Sequence, residues 1–127
     1  LIFRHFLGEV NMRRKDRKTR CEKRKLEKFS GICKTFDAVQ FASADVLNAD
    51  DCIQEIRCNV WLEGLGLDAE YTSDFVCVKT DGSLLVRECV FRKYLTKPMT
   101  MKLLEESKNY WENHGCTDWG LMIDEEK

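Results

Sequence analysis

Apolar residues recur along this 127-residue chain with two different periods, one typical of helices and one typical of strands. Between positions 36 and 48, residues suited to a core return every three or four positions, namely Phe36, Val39, Ser43, Val46 and Leu47. This spacing places them on one side of a helix, so we predict a helix that packs against a core over 36–48.

Short apolar runs predict strands in the middle of the chain. Residues 75–78 and 84–91 flank the pair Asp81-Gly82, which favours a tight turn, so we predict a β-hairpin. Further along, Met101, Leu104 and Trp111 predict the apolar side of an amphipathic helix. The predicted elements, in chain order, are a helix over 36–48, strands over 52–62, 75–78 and 84–91, a helix over 100–113 and a strand over 119–123.

This order of elements predicts the α/β fold class, with a mixed β-sheet flanked by α-helices. The length of the chain corresponds to a single domain. Ser30-Gly31 interrupts the preceding pattern. We therefore predict an N-terminal segment with a basic arm over 1–30, helical or flexible over 12–28, followed by one domain over 31–127.

Charge is distributed very unevenly along the chain. Residues 13–28 contain ten Lys or Arg and three acidic residues, a net charge of +7, although the whole chain has a net charge of −1. Such a block favours contact with phosphates, because each neutralised phosphate releases a counterion. The alternative is a solvated helix or linker without a partner. The predicted DNA-binding residues are Arg13, Arg14, Lys15, Arg17, Lys18, Arg20, Lys23, Arg24 and Lys25.

Composition narrows the class of protein. With 43% hydrophobic and 34% charged residues the chain has the make-up of a folded, water-soluble domain, and we predict no membrane partner. Residues 1–7 are apolar but lack the flanks of a signal peptide. The seven cysteines form no Cys-x-x-Cys pair and there are only two histidines, which argues against a structural zinc site. Reduced thiols predict a cytoplasmic protein.

Two carboxylates stand at matching ends of the predicted hairpin strands. Asp74 precedes one strand and Glu88 lies in the next, fourteen residues later. Neighbouring carboxylates of this kind can hold a divalent cation against a phosphodiester. The alternatives are a strand-end residue for Asp74 and a surface charge on an edge strand for Glu88.

Four segments, in the right order and with nearly fixed spacing, resemble one protein family. Residues 71–76 (Tyr-Thr-Ser-Asp-Phe-Val) are similar to its Thr-x-Asp-Phe-Leu-Val, and 109–115 (Asn-Tyr-Trp-Glu-Asn-His-Gly) to its Arg-Tyr-Trp-Glu-x-x-Gly. Residues 51–57 and 97–105 look like its Asp-x-Val-x-Asp-Ile-Arg and Pro-Arg-Thr-Leu-Glu-Lys-Leu-Glu stretches. The family is the TnsA endonuclease subunit of heteromeric bacterial transposases, and the resemblance is to its N-terminal catalytic domain. It implies a restriction-endonuclease-like fold.

The resemblance also implies an active site, with a helix Glu, an Asp and a Glu or Gln on the hairpin strands, and a Lys two residues later. The matching positions hold Gln40, Asp74, Glu88 and Val90. A second register places Arg87 and Cys89 at the last two positions instead. Neither register contains the lysine, and Gln40 replaces the helix carboxylate.

The implied cofactor is Mg²⁺ or Mn²⁺, held by Asp74, Glu88 and the Cys89 carbonyl. Binding is expected to be weak or absent, because Gln40 offers a neutral oxygen where the site needs charge. Losing a group that stabilises the transition state, as the lysine does, typically slows an enzyme by about 10²- to 10³-fold. Lys79, Arg92 or Lys93 could reach in from elsewhere and supply the positive charge of the missing lysine.

Three functions follow from these features. The first is a DNA-binding protein of the TnsA-type nuclease fold with impaired or lost cleavage, which acts in transposition or mobile-element DNA processing together with a transposase subunit or another protein. The second is an active Mg²⁺-dependent DNA endonuclease with a relocated lysine. The third is a small protein-interaction module whose basic arm contacts an acidic partner other than DNA.

Overall fold

The computed structural model describes residues 20–62 and 71–125. The predicted DNA contacts of Arg13, Arg14, Lys15, Arg17 and Lys18 lie outside these ranges. The elements, in chain order, are β1 (Glu22–Arg24), β2 (Cys33–Thr35), α1 (Ala38–Asn48), β3 (Ile53–Trp61), β4 (Thr72–Lys79), β5 (Leu84–Val90), a 3₁₀ turn (Arg92–Tyr94), α2 (Pro98–Asn113) and β6 (Asp118–Ile123).

The main sheet has four strands in the order β3-β4-β5-β6. β4 pairs antiparallel with β3 and with β5, whereas β6 runs parallel to β5. The parallel pair is possible because α2 carries the chain back across the sheet between β5 and β6. The prediction of an α/β fold with a mixed sheet is confirmed, and the hairpin turns at Asp81-Gly82, where Gly82 has a φ of 90°.

The sheet separates two apolar clusters, one under each helix. Alternate residues of β4 point to opposite sides, so that Phe75 and Cys77 pack with α1 whereas Val76 packs with α2. Leu47 belongs to the α1 cluster and Leu103 to the α2 cluster. Each helix therefore covers one face of the sheet, and the buried side chains of β4 alternate between the two clusters.

Two residues predicted to lie on the core sides of the helices are exposed. Val46 in α1 is 59% exposed and Met101 in α2 is 57% exposed. The buried side of α1 passes through Val39, Ser43 and Leu47, four positions apart, and Val46 falls about 100° away from this row. Both predictions were wrong because one-residue offsets rotate a helical side chain out of the interface.

The chain before β2 differs from the predicted helix or flexible arm. Residues Glu22–Arg24 form a short strand paired antiparallel with β2. Phe29 is buried in the α1 cluster, with its ring edge-on to Phe75 at 5.9 Å between centroids. Ile56 of β3 donates from its backbone N–H to the Lys28 carbonyl. Residues 20–30 therefore pack as part of the domain, because pairing and burial outweigh local helix propensity.

Burial shapes the chemistry of the cysteines. Burial raises the pKa of the Cys33 thiol to about 11, with the neighbouring Cys58 adding to the effect, and raises the pKa of Cys77 to about 12. Both side chains are fully buried in the α1 cluster. Their thiols stay protonated near neutral pH, so these cysteines act as small apolar residues of the core.

Neither described helix is long and apolar enough to cross a bilayer.

Candidate functional site

Asp74 and Glu88 lie side by side where β4 and β5 separate. The register pairs Phe75 with Arg87, and the next position along the hairpin sets Asp74 against Glu88. Glu88 Oε1 accepts a hydrogen bond from the Asp74 backbone N–H at 2.9 Å. Asp74 Oδ2 accepts one from the Cys89 N–H at 2.7 Å. The side chains thus bond to the opposite strand at the place where the backbone ladder ends.

Both carboxylates point toward α2. Val76 and Val86, two positions from Asp74 and Glu88, belong to the α2 cluster, and strand alternation puts the carboxylates on the same side. Ser107 of α2 donates from Oγ to Glu88 Oε2 at 2.6 Å. The Ser107 oxygen in turn accepts from Trp119 Nε1 of β6 at 3.1 Å. We call Asp74, Glu88, Ser107 and Trp119 the carboxylate cluster.

Three of the four side chains of the carboxylate cluster are closed to solvent. Asp74, Glu88 and Ser107 are each 0% exposed. The one glutamate connects three elements, because it bonds to the backbone of β4 from within β5 and also to the hydroxyl of α2. The neighbouring Ser73 adds a second link, since its oxygen accepts from Trp111 Nε1 of α2 at 2.8 Å. The polar groups of this region therefore fix α2 against the sheet.

The structure does not bring Gln40 together with the two carboxylates. Gln40 is buried in α1, on the other side of the sheet. Its Oε1 accepts from the Phe36 N–H at 2.9 Å and its Nε2 donates to Asn59 Oδ1 at 3.0 Å. Asn59 has a φ of 55° and donates from Nδ2 to the Lys34 carbonyl at 2.8 Å. Gln40 and Asn59 thus connect α1, β3 and β2 through a chain of hydrogen bonds. These bonds also satisfy polar groups that burial would otherwise leave unpaired.

Val90 and the two candidate lysines have different surroundings in the fold. Val90 is 4% exposed and pairs with Ile123 of β6. Lys79 stands at the turn end of β4, about 17 Å along the strand from Asp74 at about 3.3 Å per residue. Lys93 is exposed, and its ammonium lies 5.2 Å from the centre of the Tyr94 ring.

The positively charged side chains of this region form ion pairs or hydrogen bonds with aspartates of the domain. Asp118 Oδ2 lies 2.9 Å from Lys79 Nζ, and its Oδ1 lies 2.8 Å from Arg87 Nη2. The hydrogen bonds from Lys79 and Arg87 lower the pKa of Asp118, and the bond to Asp118 raises the pKa of Lys79. Arg92 bonds to Asp124 through its backbone N–H and its guanidinium. Lys79 and Arg92 therefore serve surface contacts of the sheet.

The carboxylate cluster does not fit a hydrated Mg²⁺ or Mn²⁺ ion. Across 20–62 and 71–125, no three His, Cys, Asp or Glu side chains are grouped so as to hold a metal. Both Glu88 oxygens and one Asp74 oxygen already accept from protein donors, and Cys89 meets the cluster through its N–H. A Mg²⁺ ion needs near-octahedral oxygen ligands and retains several waters. The described residues of this buried cluster do not supply such a set of ligands.

The described part of the basic arm divides into two kinds of residue. Arg20, Lys23 and Lys25 are exposed. Arg24 instead donates to Asp45 Oδ1 at 2.9 Å and to the Phe41 carbonyl at 3.1 Å, and its guanidinium carbon lies 3.8 Å from the centre of the Phe41 ring. Arg24 was predicted to bind DNA, but its guanidinium anchors β1 to α1.

Ser107 is the member of the site that the sequence analysis missed. It lies four positions before Trp111, four after Leu103 and three after Leu104, on the buried side of α2. A small polar residue in the middle of an apolar helical row is the signal that would have indicated a buried hydrogen-bond partner.

Two comparisons of the sequence with known proteins return no match. A scan against models of protein families finds no match to the chain. A search of curated proteins finds no sequence significantly similar to it. The assignment of function therefore rests on the residues themselves.

Proposed function

We propose that the chain is a DNA-binding protein of the TnsA-type nuclease fold that no longer cleaves DNA. It acts in the cytoplasm, in transposition or mobile-element DNA processing, together with a transposase subunit or another protein. The resemblance of four segments to the TnsA family supports the nuclease ancestry. The basic arm supports the assignment of DNA as the ligand, because clustered Lys and Arg bind the phosphate backbone without reading the base sequence.

One observation carries the loss of cleavage: the carboxylates are used inside the fold. Glu88 accepts from the Asp74 N–H and from Ser107, and Asp74 accepts from the Cys89 N–H. A metal-dependent nuclease needs carboxylate oxygens that are open to an ion and to the attacking water. Val90, buried and apolar, offers no charge to the reacting phosphate. This arrangement favours binding over hydrolysis.

Cleavage is tested on supercoiled plasmid with Mg²⁺ and, separately, with Mn²⁺. We expect no conversion to nicked or linear DNA by the wild-type protein. The matched control is Asp74→Asn, which keeps an acceptor for the Cys89 N–H and removes the charge that a metal would need. Cleavage by the wild type that Asp74→Asn abolishes would overturn the proposal in favour of an active endonuclease, and loss of that cleavage in Lys93→Ala would identify the relocated lysine.

DNA binding by the arm is expected to depend steeply on salt. Changing Arg13, Arg14, Lys15, Arg17 and Lys18 together to Ala should lower the slope of log affinity against log salt by up to about 0.9 for each phosphate that the arm no longer neutralises. Titration of a labelled duplex between low and moderate salt measures both slopes. Equal slopes for the two proteins would point to an acidic partner other than DNA.

A further inference from the structure

The small β1–β2 ribbon presents two lysines directly opposite each other. The register pairs Lys23 with Lys34, and both side chains are exposed. Residues directly opposite in an antiparallel pair have Cβ atoms about 4.5–5.5 Å apart, and like charges at that distance oppose pairing. Within the described residues, neither lysine forms a salt bridge with a carboxylate. The ribbon therefore holds two positive charges together, and neither is paired with a carboxylate of the described residues.

The ribbon is anchored firmly enough to hold this pair in place. On β2, the Lys34 N–H bonds to Cys58 Sγ at 3.5 Å and its carbonyl accepts from Asn59 Nδ2 at 2.8 Å. On β1, the adjacent Arg24 is fixed on α1 by Asp45. These bonds attach the ribbon to the domain, whereas the side chains of Lys23 and Lys34 are exposed to solvent. Anchoring of this kind lowers the entropic cost of ordering the backbone on binding, because both strands are already held in place.

We propose that Lys23 and Lys34 form a phosphate-binding pair that contacts the phosphodiester backbone of DNA. This inference rests on the proposed function and adds to it a residue, Lys34, that lies outside the basic arm. A phosphate between the two ammonium groups removes their mutual repulsion and gains two charge-assisted hydrogen bonds. A two-stranded ribbon also has the dimensions to approach a groove of duplex DNA. The contact is to the backbone and carries no sequence preference.

The test compares stability and DNA affinity in the same variants. Lys34→Ala and Lys23→Ala each remove one of the repelling charges, so we expect an unchanged or slightly higher Tm. Each should also weaken binding to a labelled duplex, and the double variant should weaken it about 8-fold at 0.1 M salt and lower the salt slope by about 0.9, as expected when one phosphate is no longer neutralised. Lys34→Arg should retain most of the affinity. Removing a residue with a purely structural role would instead lower the Tm and the DNA affinity together.

The matched control is Lys108→Ala. Lys108 is an exposed lysine of α2 whose ammonium lies 3.9 Å from Glu112, so its charge already has a partner. We expect its removal to leave affinity and slope unchanged. If Lys23→Ala and Lys34→Ala bind as the wild type does, or if they lose affinity only in step with Tm, the pair is not a phosphate site. Failure of the wild type itself to bind DNA at low salt would overturn both this inference and the proposed function.

Discussion

Replacing Glu88 with alanine is expected to lower the free energy of unfolding by about 3–5 kcal/mol. The change leaves two buried donors, the Asp74 N–H and the Ser107 hydroxyl, without their acceptor, and each unsatisfied group costs about 1–3 kcal/mol. It also leaves a cavity beneath α2. Urea denaturation followed by circular dichroism measures the loss directly.

The controls separate the hydrogen bonds of Glu88 from its charge. Glu88→Gln keeps the shape and one acceptor, so it should cost less than Glu88→Ala. Glu112→Ala removes an exposed glutamate of α2 and should change stability by no more than about 0.5 kcal/mol. If Glu88 were a metal ligand in an open site, its removal would relieve local repulsion and the protein would become as stable or more stable. A stable, well-folded Glu88→Ala protein would therefore contradict the structural role.

Rebuilding the family's site with Gln40→Glu and Val90→Lys is expected to unfold the protein instead of activating it. Val90 is 4% exposed, and an unpaired ammonium at such a position lowers the free energy of unfolding by about 3–5 kcal/mol. A glutamate at position 40 loses the bond from Nε2 to Asn59 Oδ1 and sets two acceptors against each other. Thermal unfolding of the single and double variants, in parallel with the plasmid assay, tests this expectation.

Two further proteins show which part of the double change matters. Val90→Met introduces a chain of similar length without charge, so the difference between Val90→Met and Val90→Lys isolates the buried ammonium. Gln40→Glu alone, measured below pH 5, should recover part of its lost stability, because the protonated carboxyl regains a donor. A folded double variant that cleaves plasmid would show that the carboxylate cluster can open, and it would restore the nuclease interpretation.

The hydrophobic pattern was sufficient for the elements of the main sheet and for both helices. The predicted helix over 36–48 starts two residues early, because Asp37 caps α1 through a bond from the Gln40 N–H to its Oδ1. The pattern also placed Asp74 beside Glu88, since the turn at Asp81-Gly82 fixes the register of a hairpin. Local spacing carries this information, and no distant contact is needed.

Sequence spacing does not say which face of a sheet a distant helix covers. Gln40 was grouped with Asp74 and Glu88, yet α1 and α2 lie on opposite sides of the sheet and divide these residues between them. The three-residue strands Glu22–Arg24 and Cys33–Thr35 are too short to leave a periodic signal, so the position of Lys34 opposite Lys23 could be read only from the fold.

The tryptophans around the carboxylate cluster allow its exposure to water to be followed by intrinsic fluorescence. Two of its three tryptophans donate into this region, Trp119 to Ser107 and Trp111 to Ser73, whereas Trp61 is 47% exposed and stands at the edge of the sheet. With Trp61 replaced by phenylalanine, the intrinsic emission arises only from indoles that join α2 to the strands. A red shift of that emission would mark the moment at which water reaches the cluster, whether heat, denaturant or a bound partner moves the helix.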